Sequence, residues 1–287
     1  MADICLEVAL NGGLGRTWQP GMPTSVDAIV ADALACLDAG ASVIHYHAYD
    51  EATGAHDERA IDVHRAVLER LRERTDAIVY GTTFTRRGDA PAPSLQERFR
   101  IERTLRDEGL VDVFVLDPGS CSFARESNLA GGFAYVNEPR ETLAGVELAR
   151  DSAMVPALAI YELGFARAAC AAARAAGLDP RRMAFRLMFT DGFVWGLPPS
   201  PETLRLTHAA MAHLGVDRWM LAGIDFDVFA LIDEALALGC DIRVGLEDAP
   251  RGTEQTNAAM VARAAQRIAA AGHGVLTPAA ARARIVG

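Results

Sequence analysis

TSVDAIVADALACLDAGASVIHYHAYD, Thr24 to Asp50, contains one turn of the rhythm that decides the fold. Thr24 is placed to cap a helix, with Asp27 three residues on, and Ala28, Ile29, Ala33 and Leu37 form its apolar stripe. Gly40 ends the helix. A short β-branched run then follows, Ser42 to His47, and reads as a buried strand.

The same alternation runs outward in both directions. Further strands are expected at Ile4–Leu10, Ala77–Thr82, Val113–Leu116, Met154–Ile160, Met183–Met188, Arg218–Ala222 and Ile242–Val244. Helices are expected at Asp57–Arg74, Ser94–Glu108, Leu163–Ala176, Pro201–Leu214, Phe226–Leu238 and Gln255–Ala271. The connection from Ser122 to Gly145 is less regular and reads as a lid or an oligomer contact. No Pro/Gly/Ser-rich linker divides the 287 residues. Eight strand–helix units in one chain therefore predict a single-domain α/β protein over residues 1–287, a (β/α)₈ TIM barrel, ahead of a doubly wound open sheet.

Composition narrows the function. A net charge of −10 and no Lys/Arg run argue against a nucleic-acid partner. Five scattered cysteines without a C-x-x-C pair fit reduced thiols. No uncharged apolar run approaches the roughly 18 residues of a membrane helix, and no leader pattern opens the chain. No membrane association and a cytoplasmic location are expected.

Within VIHYHAYD, His45 and His47 are two apart, so they project from one face of the strand while Tyr46 points to the other. They also fall at the C-terminal end of the second strand, where barrels of this kind carry their active sites. Two readings stay open, half of a Zn²⁺ site or a hydrogen-bonded pair of core histidines. RVGLED, Arg243 to Asp248, ends the eighth strand and offers a third ligand. If the extended conformation persists, Arg243, Gly245 and Glu247 share a face, and Asp248 sits at the strand-to-loop edge. NGGLGR, Asn11 to Arg16, lacks both the dinucleotide fingerprint and the Walker lysine, and reads as a flexible loop. Thr82, Thr83, Ser120 and Ser122 follow strands and could bind a carboxylate. His56, His64, His208, His213 and His273 read as solvated. No G-x-S-x-G elbow supports a serine nucleophile.

Taken together, ALNGG, MPTSVDAIVADALACLDAGASVIHYHAYDEATG, LAGID, DIRVGLED and TNAAMVARAAQRIA resemble the β-keto acid cleavage enzymes, whose founding activity is 3-keto-5-aminohexanoate cleavage. The resemblance runs nearly end to end. It implies a (β/α)₈ barrel with Zn²⁺ held by His45, His47 and Glu247, and a homo-oligomer, commonly a tetramer. It also implies an acyltransferase that joins a β-keto acid and acetyl-CoA, yielding acetoacetate and a new acyl-CoA. Asp248 would be the base, Arg243 would orient it, and the hydroxyls of Thr82 and Ser120 would hold the substrate carboxylate.

The departures from the family pattern are equally specific. Leu14 stands where the founding member has an acidic residue, Ala157 and Ala159 where it has glutamates, and Thr82-Thr83-Phe84 where it has a hydroxyl and two glycines. They predict a substrate with an uncharged tail. Two rivals differ in class: a metal-dependent barrel aldolase or hydrolase that does not use CoA, and a ligand-binding relative without activity. Amidohydrolases carry their H-x-H pair on the first strand, whereas here it is on the second.

Overall fold

The computed structural model describes residues 3–84, 86–88 and 90–287. In chain order these form β1 (Leu6–Ala9), α1 (Val26–Asp38), β2 (Val43–Tyr46), α2 (Ile61–Arg72), β3 (Ile78–Gly81), α3 (Leu95–Arg98), α4 (Arg100–Asp107) and β4 (Val113–Val115). An antiparallel hairpin follows, β5 (Cys121–Arg125) and β6 (Asn128–Tyr135), and then α5 (Pro139–Ser152). The remainder is β7 (Val155–Ile160), α6 (Leu163–Ala176), β8 (Ala184–Phe189), α7 (Pro201–His213), β9 (Met220–Gly223), α8 (Ile232–Ala237), β10 (Asp241–Val244), α9 (Asn257–Ala270) and α10 (Pro278–Ile285).

Eight strands make one parallel sheet in the order β3-β2-β1-β10-β9-β8-β7-β4. Its edge strands, β3 and β4, pack against each other, so the sheet curls into a nearly closed (β/α)₈ barrel. The first strand pairs with both the second and the last: Ala9 lies opposite His45, and Val8 opposite both Ile44 and Val244. That pairing sets the ends of the two suspect motifs on either side of β1.

Period-2 alternation divides the side chains into two layers. Leu6, Val8, Ile44, Tyr46, Leu158, Phe185, Leu187, Leu221 and Ile242 point outward into the main core and pack under the helices. Val43, Ile78, Tyr80, Val113, Val115, Val155, Ala157 and Met220 point inward and fill the lower barrel. Full burial of each large aliphatic side chain contributes about 1.5–3 kcal/mol, so this two-sided demand for apolar residues explains the continuous hydrophobic runs read as strands. The exceptions are charges in mid-strand, Glu7, Arg186 and Arg243, all buried and pointing inward.

Two expectations need correction. The cap of α1 is Ser25, not Thr24: its hydroxyl accepts from the Ala28 amide at 3.2 Å, and Glu51 accepts from the Val26 amide at 2.8 Å, which fixes the first turn one residue later. The expected helix 94–108 is two pieces, α3 and α4, broken at Phe99, whose ring is fully buried against Phe114. The irregular stretch 122–145 holds the hairpin and the start of α5, whose signals, Pro139 in the first turn and a Glu138–Glu141 capping box, were present in the sequence. No helix among the described residues is long and apolar enough to cross a membrane.

Candidate metal centre and active site

The loop after β1 is built as a clamp. Asn11, fully buried, accepts from the His47 amide at 2.6 Å and donates to the carbonyls of Pro23 and His47 at 2.6 and 3.1 Å. One side chain thus fixes the backbone of the second histidine. The glycines that follow are there because of close approach, not to cradle phosphate. A Cβ on Gly12 would lie 2.6 Å from Glu247 Cγ, and one on Gly13 would lie 3.2 Å from His56 Cε1.

On the other side of β1, the extended backbone of β10 does not persist through RVGLED. Gly245 adopts φ +141° with its α-carbon against the Ala9 carbonyl, where a Cβ would sit 2.1 Å from the oxygen. The amides of Asp248 and Ala249 then turn back to the Gly245 carbonyl. This turn, rather than strand alternation, aims Glu247 and Asp248 in different directions.

Glu247 meets the histidines. Its Oε2 is 3.4 Å from His45 Nε2 and its Oε1 is 3.3 Å from His47 Nε2, and one ligand atom from each of the three residues lies within 4.8 Å of the others. Burial holds the His45 ring well below the usual imidazole range, so it is neutral and keeps a lone pair to give. Burial alone would raise the Glu247 carboxyl, but Arg243, His47 and His45 hold it well below the ordinary range. Glu247 Oε2 is buried yet forms no hydrogen bond, although Arg243 Nη2 lies 2.9 Å away. His47 Nε2 can donate to Glu247 Oε1 across this gap, or both nitrogens and the carboxylate can turn their lone pairs on one cation.

The charged groups around this point are compatible with a bound cation. Two buried guanidiniums, Arg186 and Arg243, stand among four carboxylates, Glu7, Asp117, Glu247 and Asp248. A divalent cation would bring that group to neutrality, and two imidazoles with one carboxylate are a donor set suited to Zn²⁺.

Arg243 is 1% exposed and ties the floor together. It donates to Asp248 through Nε at 2.9 Å and Nη2 at 2.8 Å, and to Glu7 through Nη1 at 3.2 Å. Tyr80 also donates to Glu7 at 2.9 Å. Asp248 is fully buried behind this guanidinium and does not line the cavity. Burial lifts its carboxyl to about 6 despite Arg243.

Above the triad opens a cavity of about 350 Å³. One wall is the triad side, β1, β2 and β10. The facing wall comes from β4, β7, β8 and the hairpin, and carries Val115, Asp117, Phe123, Phe133, Tyr135, Ala159, Tyr161 and Met188. Thr82 lines the cavity as expected, and so does Leu14, which is 43% exposed. Ser120 is not brought there. Its exposed hydroxyl pairs with the amide and carbonyl of Asn137 at 2.9 and 3.0 Å, pinning the end of the hairpin. Ala159 lines the cavity, whereas Ala157 faces the lower barrel, on the other side of the Arg186 layer.

Two histidines read as solvated are not. His64 is 1% exposed and pairs with the Tyr46 hydroxyl at 3.0 Å. His56 folds back onto the centre, its Nε2 2.9 Å from His47 Nδ1. Burial and His47 bring His56 down to about 4, so it too is neutral. Of the others, His213 is exposed, and His208 accepts from the Trp219 indole at 3.2 Å. Arg186 and Asp117 were missed outright. The signal for Arg186 was a charge inside the apolar run MAFRLMF.

Comparison with known proteins places this geometry in context. A family model described as beta-keto acid cleavage enzyme matches residues 3–286. The chain is 27% identical over 292 residues to 3-oxoadipate:acetyl-CoA acetyltransferase of Cupriavidus necator, covering 99% of this chain and 95% of that one. It is 25% identical over 284 residues to 3-dehydrocarnitine:acetyl-CoA trimethylamine transferase of Rhizobium meliloti, covering 92% and 89%. Among solved structures, the complex of ObcA with oxaloacetate superposes with a TM-score of 0.68 at 19% identity, covering 93% of this chain and 67% of ObcA, and shares its fold.

Proposed function

The chain belongs to the β-keto acid cleavage enzyme family, and from that premise we propose that it is a Zn²⁺-dependent acyltransferase converting a β-keto acid with an uncharged tail and acetyl-CoA into acetoacetate and a new acyl-CoA. The observation that carries the reading is the triad of His45, His47 and Glu247 with its unsatisfied carboxylate oxygen at the cavity floor. A Zn²⁺ bound there would supply a Lewis acid for the keto oxygen and carboxylate of the substrate. In the overall exchange, the carbon between these groups bonds to the acetyl carbonyl and the thiolate leaves. That thiolate then adds to the former keto carbon, and cleavage of the carbon–carbon bond frees acetoacetate.

Thr82, on the cavity wall, is the hydroxyl placed to hold the substrate carboxylate. Ser120 acts at one remove by fixing the hairpin through Asn137. Asp248 is the proposed proton acceptor, since a carboxyl near 6 is better matched to work at neutral pH than an ordinary aspartate. Asp248→Asn is therefore expected to stop exchange of the substrate's α-proton with deuterated water while zinc uptake is retained. Exchange at the wild-type rate in that variant would remove Asp248 from the role.

The uncharged tail rests on the facing wall, where Val115, Phe123, Phe133, Tyr161 and Met188 surround Ala159. Of the charges near them, Asp117 is engaged by the Tyr135 hydroxyl and the Ala159 amide, and the Arg87 guanidinium lies over the Phe133 ring. The deciding experiment incubates the protein with acetyl-CoA and a panel of β-keto acids, with and without chelator, and follows acetoacetate. Straight-chain neutral substrates are expected to react fastest and chelator to stop the reaction. A 5-amino or dicarboxylic substrate turned over faster would overturn the tail assignment. Turnover indifferent to acetyl-CoA would favour a barrel aldolase or hydrolase, and zinc uptake without turnover a ligand-binding relative.

We also infer a homo-oligomer, with a tetramer as the expected form.

A further inference from the structure

His56 belongs to no strand and to none of the ligand positions, yet three features hold it against the centre. The chain turns back after β2, with the Asp50 amide donating to the Ala55 carbonyl at 2.8 Å and the Asp57 amide to the Ala48 carbonyl at 3.0 Å. The ring packs at 5.0 Å from His47 and 5.4 Å from Tyr49 between centroids, beside Gly13, where a Cβ would come within 3.2 Å of it. On its far side, Nδ1 lies 3.3 Å from Glu58 Oε2.

Metal ligation through His47 Nε2 would fix the protons along this row. A carboxylate accepts only, so His56 presents N–H at Nδ1 to Glu58 and a lone pair at Nε2. That lone pair, 2.9 Å from His47 Nδ1, requires N–H on His47 Nδ1. His47 Nε2, 3.3 Å from Glu247 Oε1, is then the lone pair that an ion between the two would use; without an ion, the carboxylate favours N–H on that same nitrogen. The row Glu58–His56–His47 therefore favours the coordinating tautomer of the second ligand over the one in which Nε2 donates to Glu247.

We infer that His56, itself oriented by Glu58, is a positioning residue that sets the tautomer and ring orientation of His47 and so tightens metal binding at the triad. The inference rests on the metal reading of that triad. A partner of this kind beyond the ligands is worth about 10–100-fold in metal affinity.

The test is zinc affinity of the full-length metal-free protein, measured by competition with a chromophoric chelator. His56→Ala is expected to weaken binding about 10–100-fold, Glu58→Gln to weaken it less, and His56→Gln, whose amide oxygen still accepts from His47 Nδ1, to recover most of the loss. The visible spectrum of the Co²⁺-loaded protein should shift in His56→Ala and return towards wild type in His56→Gln. Thermal unfolding of the metal-free variants separates folding defects from ligand positioning, because His56→Gln keeps the packing. Zinc affinity within about twofold of wild type in His56→Ala, or equal losses in the alanine and glutamine variants, overturns the inference and leaves the metal reading standing. Failure of the wild type to take up zinc overturns both.

Discussion

Arg243→Met is expected to destabilise the protein by about 3–5 kcal/mol, the range for removing one partner of a buried ionic network. The guanidinium is 1% exposed and is in contact with Glu7, Glu247 and Asp248 at once. Its loss leaves three carboxylates with their nearest cation gone. Lysine restores the charge but not the geometry, because a single ammonium cannot donate to Asp248 through two nitrogens while reaching Glu7. Urea unfolding followed by circular dichroism measures the difference. A loss below about 1 kcal/mol for the methionine variant would mean that the network does not hold the floor of the barrel together.

His45→Ala is expected to abolish tight zinc binding and to lower turnover on the order of 10³-fold, since a Lewis acid at the reacting oxygen supplies several kcal/mol and each 1.36 kcal/mol is tenfold in rate. Its effect can also be read without activity. Zinc should raise the melting temperature of the wild type, because an ion that binds only the folded state stabilises it by mass action. The variant should show no such rise. A zinc-dependent gain of the same size in His45→Ala would show that the ion binds elsewhere.

How much of this could be read from residues alone depends on how local each signal is. The barrel was legible because every strand is buried on both faces, which makes its hydrophobic run continuous and its ends sharp. The H-x-H pair was legible because period 2 fixes the relative direction of His45 and His47 whatever lies around them. The turn at Gly245 was not, since the reason for it is the Ala9 carbonyl on a strand more than two hundred residues earlier in the chain. Asp248 therefore went behind Arg243 instead of to the cavity edge. His56 was misread for a related reason. Its partner His47 is nearby in sequence, and the turn between them shows Asp50 capping Thr53 ahead of Gly54 at positive φ, but a turn signal does not say which side chain it brings back. Ser120 followed a strand, as expected of a substrate-binding hydroxyl, and was claimed by Asn137 on the far side of a hairpin that alternation did not reveal.

The division of the cavity into a triad wall on β1, β2 and β10 and an apolar wall on β4, β7, β8 and the hairpin has a consequence for how such a protein can diversify. The reaction machinery is interlocked through Asn11, Arg243 and the turn at Gly245, so a change there propagates. Phe123, Phe133, Tyr161 and Met188 lie outside those hydrogen bonds, in an apolar cluster with Phe193 and Trp195, so a change of their size is taken up within that cluster and not by the triad wall. Substrate range is thus a separately adjustable property of this scaffold, and engineering it should start from the hairpin.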